Sequence, residues 1–325
     1  MFHWGIIGTG RIARKFAREL QLVPNTKLIA VAGSDLARAK AFAAEFGAPF
    51  AYATHDEIVG TPNLDAVYVG TTNDHHCSDT LLCLNHKIPV LCEKPFAMNT
   101  AEVQQMLDAA RTNNTFLMEA LWTRFLPSIQ KIKELIEADT IGKVKTIRAD
   151  FGFNASKGAP LSRVFVPELG GGSLVDVGIY PIFLAQLFLG KPTKIKATAT
   201  IGDTGVDEDC SMLFEYGNDQ LAILYSSIVN KTPTEAFING EKGYIHILPR
   251  FHGVNGGFTL AIYDGSHDGA QTHHNFDWWG DGFTYQIQEV MDCIQAGKKQ
   301  SDLMPHAFSL ALIETLDWVE KSIKS

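Results

Sequence analysis

The sequence predicts an α/β fold followed by an α+β fold. A doubly wound parallel sheet should fill the first third, and a large, mainly antiparallel open sheet flanked by helices should follow. Three observations predict this. A short apolar run at the N-terminus enters a glycine motif and then a helical pattern; strand-like and helix-like stretches keep alternating through the first third; and from about Lys143 the apolar period shortens to two. The 325 residues, 46% hydrophobic and 20% charged, suit two ordinary domains. The pattern divides them at 1–121 and 122–325.

The first element, "FHWGIIGTGRIARKFAREL", is a buried strand running into Gly8-Thr9-Gly10-Arg11-Ile12-Ala13, then a helix with Ile12, Phe16 and Leu20 at a spacing of four. This is G-x-G-x-x-A between a strand and a helix, the setting that gives the motif meaning. Gly8 allows a tight turn, Gly10 lets backbone approach a pyrophosphate, and small Ala13 lets helix and strand pack closely. Gly8, Thr9, Gly10, Arg11 and Ile12 are therefore expected at a dinucleotide. "KLIAVAG", "DAVYVG" and "IPVL" follow as strands, with "DLARAKAFAAEF" and "DTLLCLNH" as helices. Such βα repeats make a Rossmann sheet with a ligand crevice at the strands' carboxyl ends.

The second strand bears on the choice of cofactor. An acid at its tip would bind a ribose 2'-hydroxyl, but this chain has Gly33 and Ser34 there, with Arg38 and Lys40 shortly beyond. That favours NADP, with NAD as the alternative. Asp35 supports the alternative unless it caps the following helix, and the cap is the reading adopted here.

Beyond the "IPVL" strand stands "CEKPFAMN", with Lys94 between Glu93 and Pro95. Proline fixes its own φ and biases the preceding residue toward extended geometry, which restricts the direction of the ammonium. A second constellation is Asp176 and Tyr180, an i,i+4 pair preceded by three glycines that can bring backbone close to a ligand. Ser173 with Asp176 alternatively reads as a helix cap.

In the second domain, "KTIRADFGF" puts Ile147, Ala149, Phe151 and Phe153 on one face, and "TKIKATATI" does the same with Ile195, Ala197, Ala199 and Ile201. "DCSMLFEY" and "LAILYSS" are further strands, and a helix from Ser173 to Leu189 should cover one face of the sheet. "EALWTRFLPSIQKIKELIE" forms the junction. Trp122, Arg124 and Phe125 there read either as packing or as a substrate pocket in which aromatics stack on a ring and Arg124 orients a hydroxyl. "DGSHDGAQTHHNFDWWGDGF" reads as a surface loop, with Trp278 and Trp279 as lid candidates. "YQIQEVMDCIQAGKKQ" and "HAFSLALIETLDWVEKSI" read as amphipathic core helices.

Composition excludes several classes. A net charge of -8 and a pI near 5.8, with the basic residues dispersed, leave no stripe for nucleic acid. Five cysteines, Cys77, Cys83, Cys92, Cys210 and Cys293, contain no C-x-x-C pair and read as buried free thiols. No basic leader precedes the first apolar stretch and no apolar run reaches about 18 residues, so the expectation is a cytoplasmic protein without membrane partners. The histidines lack ligand spacing, so no metal is expected.

The motifs Gly8 to Ala13, "TTNDHH" at Thr71 to His76, "CEKP" at Cys92 to Pro95 and "GGGSLVDVGIYP" at Gly170 to Pro181 together resemble the Gfo/Idh/MocA family of oxidoreductases over essentially the whole chain. "MEALWTRFLP" is most similar to the branch of dimeric dihydrodiol dehydrogenases and NADP-dependent D-xylose dehydrogenases. The resemblance implies that Lys94 hydrogen-bonds the reacting oxygen and also lies against the cofactor, that Thr71, Asn73 and His76 line the crevice, and that Glu93 contacts the nicotinamide ribose. Thr72 stands where the family usually has proline, and Tyr180 where many members have histidine. A phenol ionises near pH ~10, and a neighbouring ammonium lowers that value. Tyr180 would then exchange the substrate proton while Lys94 stabilises the oxyanion, with Asp176 as third member of the catalytic set. A homodimer through the C-terminal sheet is also implied. The expected activity is hydride transfer between NADP and a secondary alcohol of a sugar or cyclic polyol, first an aldose such as D-xylose at its anomeric hydroxyl. Alternatives are a trans-1,2-dihydrodiol dehydrogenase or dicarbonyl reductase and, from another class, a non-catalytic NADP-binding redox sensor.

Overall fold

The computed structural model describes every residue except 156, 157, 159, 160, 218, 267, 268 and 325. Two compact units divide the chain, Met1–Phe125 with Trp279–Ile313, and Leu126–Trp278 with Glu314–Ser325.

In the first unit the elements are β1 (Phe2–Ile7), α1 (Arg11–Leu20), β2 (Thr26–Ala32), α2 (Leu36–Phe46), β3 (Phe50–Tyr52), β4 (Ala66–Val69), α3 (His76–Asn85), β5 (Val90–Glu93), α4 (Thr100–Thr112) and β6 (Leu117–Ala120). The strands lie in the order β3-β2-β1-β4-β5-β6 and are all parallel. The order reverses between β1 and β4, which is where an open α/β sheet forms its ligand crevice. β4, β5 and β6 are buried throughout, as strands covered on both faces must be. α1 packs through Ala13, Phe16, Ala17 and Leu20. The Phe16 ring stacks on Tyr68 of β4 with centroids 3.8 Å apart.

The second unit opens with α5 (Pro127–Glu137) and β7 (Val144–Gly152). A π-helical turn (Leu174–Gly178) runs into α6 (Ile179–Leu189), and seven strands follow. These are β8 (Lys194–Ile201), β9 (Asp207–Tyr216), β10 (Gln220–Ser227), β11 (Ala236–Gly240), β12 (Gly243–Ile247), β13 (Phe258–Ile262) and β14 (Ala270–His274). They pair with β7 in the order β14-β13-β12-β11-β7-β10-β9-β8. Among the described residues β7 with β10 is the one parallel pair of this sheet. Val164, Phe165, Val177, Val206 and Ile228 form a core cluster that Phe151 and Phe153 partly cover. The stretch Pro167–Leu189 is long and apolar enough to cross a membrane, but most of it is buried inside the protein. It is the apolar core helix of this unit.

The chain ends with α7 (Phe283–Gln295) and α8 (His306–Lys324). Here the division read from the sequence is corrected, because Trp279–Ile313 returns to the first unit. Phe283 packs on Trp122, ring centroids 5.0 Å apart. Buried Glu19 of α1 accepts the backbone N–H groups of Asp281 and Phe283, satisfying donors that the start of α7 would otherwise leave bare. Two further corrections concern strands. Ile201 is exposed, because a register shift between Thr200 and Ile201 breaks the alternation of β8. Part of the expected histidine-bearing surface loop is β14, an edge strand whose polar residues conceal its pairing with β13; residues 267 and 268 of that loop lie outside the described residues.

Candidate active site

The glycine turn fits a dinucleotide. Gly8 has φ +107°, and a Cβ there would lie 2.5 Å from the Gly70 carbonyl oxygen, so only glycine suits the turn. A Cβ on Gly10 would meet nothing within 4 Å, which leaves space beside the backbone at the N-terminus of α1. Gly10 is the N-cap there, without a side-chain cap, and the first turn carries no acid. Amide hydrogens and the helix dipole are thus available to an anion. Arg11 is exposed beside them and Ile12 half-buried.

At the tip of β2, a Cβ on Gly33 would come within 3.0 Å of Thr9 Cγ2, a packing reason for glycine where an NAD site carries an acid. Asp35 caps α2, accepting the Arg38 backbone N–H at 2.7 Å. Arg38 Nη2 donates to Ser34 Oγ at 3.3 Å. Ser34 and Arg38 therefore stand together as the polar pair at this strand tip.

β5 delivers Lys94 just past its end, and Glu93 holds it there. Glu93 Oε1 accepts from the Tyr68 hydroxyl at 2.6 Å, while Oε2 accepts from the backbone N–H of Lys94 at 3.1 Å. The peptide bond between Lys94 and Pro95 is cis, a feature the sequence did not announce. His76, fully buried, lies with Nδ1 2.7 Å from the Pro95 carbonyl oxygen and Nε2 3.4 Å from that of Thr71. Burial pushes its pKa down to about 4, so the ring is neutral and its single N–H donates to one of these two carbonyls, the nearer being that of Pro95 in the lysine loop. Buried Asn73 opens the next turn. Thr71 Oγ1 also donates to Asp79 Oδ2 at 3.0 Å, and Asp79 Oδ1 is 2.8 Å from His55 Nδ1, which raises the His55 pKa.

Beside Glu93 on the neighbouring strand is a second buried acid, Glu119. Burial raises its pKa to about 7, against hydrogen bonds from Ser309 and the Phe96 backbone. Sequence reasoning missed Tyr68, Asp79, His55 and Glu119. For Tyr68 a signal existed, since a phenol inside a fully apolar strand needs a buried partner for its hydroxyl.

In the second unit, Asp176 lies in the π-helical turn and Tyr180 in the first turn of α6. Arg163 Nη2 donates to Asp176 Oδ1 at 2.6 Å, a pairing that 13 residues of irregular chain hide from the sequence. The Tyr180 ring is walled by Phe151 and His252, with centroids at 5.5 and 5.0 Å. The glycines before this turn make a close approach to protein. A Cβ on Gly172 would fall 2.2 Å from Asp207 Oδ1, and one on Gly171 2.7 Å from the Val164 carbonyl oxygen. Ser173 makes no side-chain cap, contrary to the capping alternative, because its hydroxyl donates to Asp207 Oδ2.

Trp122, Arg124 and Phe125 are all buried. Trp122 packs on Phe283, and the Lys15 ammonium lies over its ring at 4.4 Å. These contacts combine ring packing with a cation–π contact. Trp278 donates its indole N–H to the Asn255 carbonyl oxygen at 2.9 Å, and the Trp279 backbone N–H donates to the Tyr285 hydroxyl at 2.8 Å. Both are bonded into their surroundings. The five cysteines are buried and free. Among the described residues no three His, Cys, Asp or Glu side chains converge as metal ligands.

Comparison with known proteins extends these observations. Residues 2–121 match the family described as "Oxidoreductase family, NAD-binding Rossmann fold", and residues 129–246 match the "GFO/IDH/MocA C-terminal domain". A trans-1,2-dihydrobenzene-1,2-diol dehydrogenase of Danio rerio is 39% identical over 98% of this chain and 96% of its own length. Among solved structures, a 3-ketoreductase from Actinomadura kijaniata in complex with NADP and TDP-benzene superposes with TM-score 0.88 at 22% identity, covering 99% of this chain and 97% of that one. An aldose-aldose oxidoreductase from Caulobacter crescentus complexed with glycerol superposes with TM-score 0.87 at 24% identity, with the same coverage. At these identities the two structures speak for the fold.

Proposed function

The chain belongs to the GFO/IDH/MocA oxidoreductase family, with its NAD-binding Rossmann fold, and from that premise we propose an NADP-dependent dehydrogenase of secondary alcohols on cyclic substrates. The observation that carries this reading is the Tyr68–Glu93–Lys94 chain at the end of β5, which fixes a lysine at the ligand edge of a dinucleotide-binding sheet. Membership in an oxidoreductase family sets the redox-sensor alternative aside.

Gly8, Thr9, Gly10, Arg11 and Ile12 hold the pyrophosphate, Ser34 and Arg38 the 2'-phosphate, and Thr71, Asn73, His76 and Glu93 the nicotinamide end. NADP, when bound, supplies the hydride acceptor at nicotinamide C4. Lys94 donates a hydrogen bond to the substrate oxygen and stabilises the negative charge that builds on it. Tyr180 takes the hydroxyl proton while hydride leaves the same carbon, so a ketone or lactone and reduced cofactor result. In reduction the phenol returns that proton. Asp176, paired with Arg163, orients the hydroxyl.

The preferred substrate is a trans-1,2-diol on an unsaturated ring. The near-full-length similarity to a protein named for that substrate supports this order over the one read from sequence, as do the aromatic rings around Tyr180. An aldose such as D-xylose, oxidised at its anomeric hydroxyl, stands second, supported by the polar pair Asp176 and Arg163. Trp122, Arg124 and Phe125 bear on the substrate by shaping what surrounds it. Dimerisation through the open face of the eight-stranded sheet is part of the same proposal, supported by the exposed Ile201, Leu221 and Ile223 on β8 and β10.

The test is absorbance in the reduced-nicotinamide band while purified protein, given NADP and then NAD, is offered trans-dihydrodiols, aldoses and inositols. Turnover of a diol or aldose with NADP supports the proposal. Absence of turnover on every cyclic alcohol overturns it.

A further inference from the structure

The segment bearing Asp176 and Tyr180 is started by a carboxylate from a distant strand. Asp207, the first residue of β9, accepts through Oδ2 from Ser173 Oγ and from the Leu174 backbone N–H, both at 2.7 Å. Ser173 Oγ also lies 3.1 Å from Ser226 Oγ of β10, and both serines are fully buried. On either side of the turn a glycine makes room for this grip. Gly172, at φ +122°, presents its backbone to Asp207 Oδ1, and a Cβ on Gly178 would meet Ser226 Oγ at 3.0 Å.

Side chains that start a helix usually belong to the helix's own N-cap. Here the carboxylate comes from 34 residues downstream of Ser173. A local cap leaves the helix free to shift as a body, whereas a carboxylate anchored in a sheet sets its position along its axis and about it. The helical turn that follows carries Asp176, and the next carries Tyr180.

We propose that Asp207 is a positioning residue for the reaction, fixing through Ser173 and Leu174 the place of the Asp176 and Tyr180 side chains. The inference rests on the reading that Tyr180 exchanges the substrate proton. A catalytic group must be held to within a fraction of an ångström by residues behind it, and the network of Asp207, Ser173 and Ser226 has the location to do so.

Burial raises the Asp207 pKa from 3.8 to about 6 in spite of its hydrogen bonds. A carboxyl with a folded-state pKa above its unfolded value is favoured protonated by the fold, so holding it ionised at neutral pH subtracts from stability. Buried carboxyls with raised pKa values cluster at functional sites.

The experiment compares Asp207→Asn and Ser173→Ala with the intact chain and with Tyr180→Phe, measuring kcat, KM for the alcohol, NADP affinity and melting temperature near pH 7.5. Asp207→Asn should lower kcat at least tenfold, with NADP affinity within twofold and melting within about two degrees of the parent. Ser173→Ala should lower kcat in the same direction, and the double variant should be no worse than Asp207→Asn. A kcat within twofold of the parent in both single variants overturns the inference, as does a loss that tracks melting temperature and NADP affinity alike. Should Asp207→Asn not fold, Ser173→Ala decides by the same criteria. Full turnover in Tyr180→Phe instead overturns the reading on which the inference rests; loss of turnover there beside normal Asp207→Asn overturns the inference alone.

Discussion

Tyr68 donates its phenolic hydrogen to Glu93 across 2.6 Å, joining β4 to the last residue of β5 inside the first unit. The acceptor is a buried carboxylate that also receives the backbone N–H of Lys94. Tyr68→Phe removes the donor and leaves that oxygen short of a bond, which should cost about 1.5–3 kcal/mol. Thermal unfolding should show the loss, and kcat should fall several-fold with NADP affinity little changed. Unaltered melting would show that Glu93 does not depend on Tyr68.

Phe16 is fully buried and stacked on Tyr68. Phe16→Ala should destabilise by about 3–5 kcal/mol, the range for emptying an aromatic site in a packed core. Denaturant unfolding measures it directly; a loss below about 1 kcal/mol would mean the α1 packing is not as described.

Arg38 lies beside Ser34, and Asp35 is occupied as a helix cap. Arg38→Ala should weaken NADP by roughly 10–100-fold, the worth of about 1.5–3 kcal/mol in charge-assisted bonds. NAD should be bound as before. Equal weakening of both cofactors would remove the 2'-phosphate from the account.

His76 supplies a pH dependence with a definite sign. Its folded-state pKa is lowered from 6.5 to about 4 by burial, so between those values the unfolded chain binds the proton first. Stability should fall as pH drops through that window, by about 3 kcal/mol in all at 1.36 kcal/mol per pKa unit. His55, raised by Asp79, acts oppositely; its contribution is complete below pH 6.5 and lost as pH rises through its folded-state value. Melting curves of His76→Asn and His55→Asn against the parent, from pH 4 to pH 9, separate the two. An identical pH dependence for all three chains would contradict both assignments.

The sequence made the parallel sheet legible because its strands are buried on both faces and punctuated by helices, a pattern that survives in one dimension. β3 and β6 escaped: Phe50–Tyr52 is too short to show a period, and Leu117–Ala120 carries a buried glutamate in its middle. Lys94, Gly8 and Gly10 could be read because backbone constraints are local. Arg163 with Asp176, Asp207 with Ser173 and Tyr68 with Glu93 could not, since each joins residues separated by 13 to 34 positions. The return of Trp279–Ile313 to the first unit was likewise hidden, because an amphipathic helix does not name the surface it covers.

The central proposal is that Lys94 acts on the substrate oxygen. Lys94→Met, which keeps the length of the stem and removes the ammonium, tests it by single-turnover kinetics on a trans-dihydrodiol alongside NADP titration. Turnover should fall at least a hundredfold, the scale set by losing an oxyanion donor, while NADP binds within about threefold of the parent. Turnover comparable to the parent, or a collapse of NADP binding that accounts for the whole loss, would contradict it.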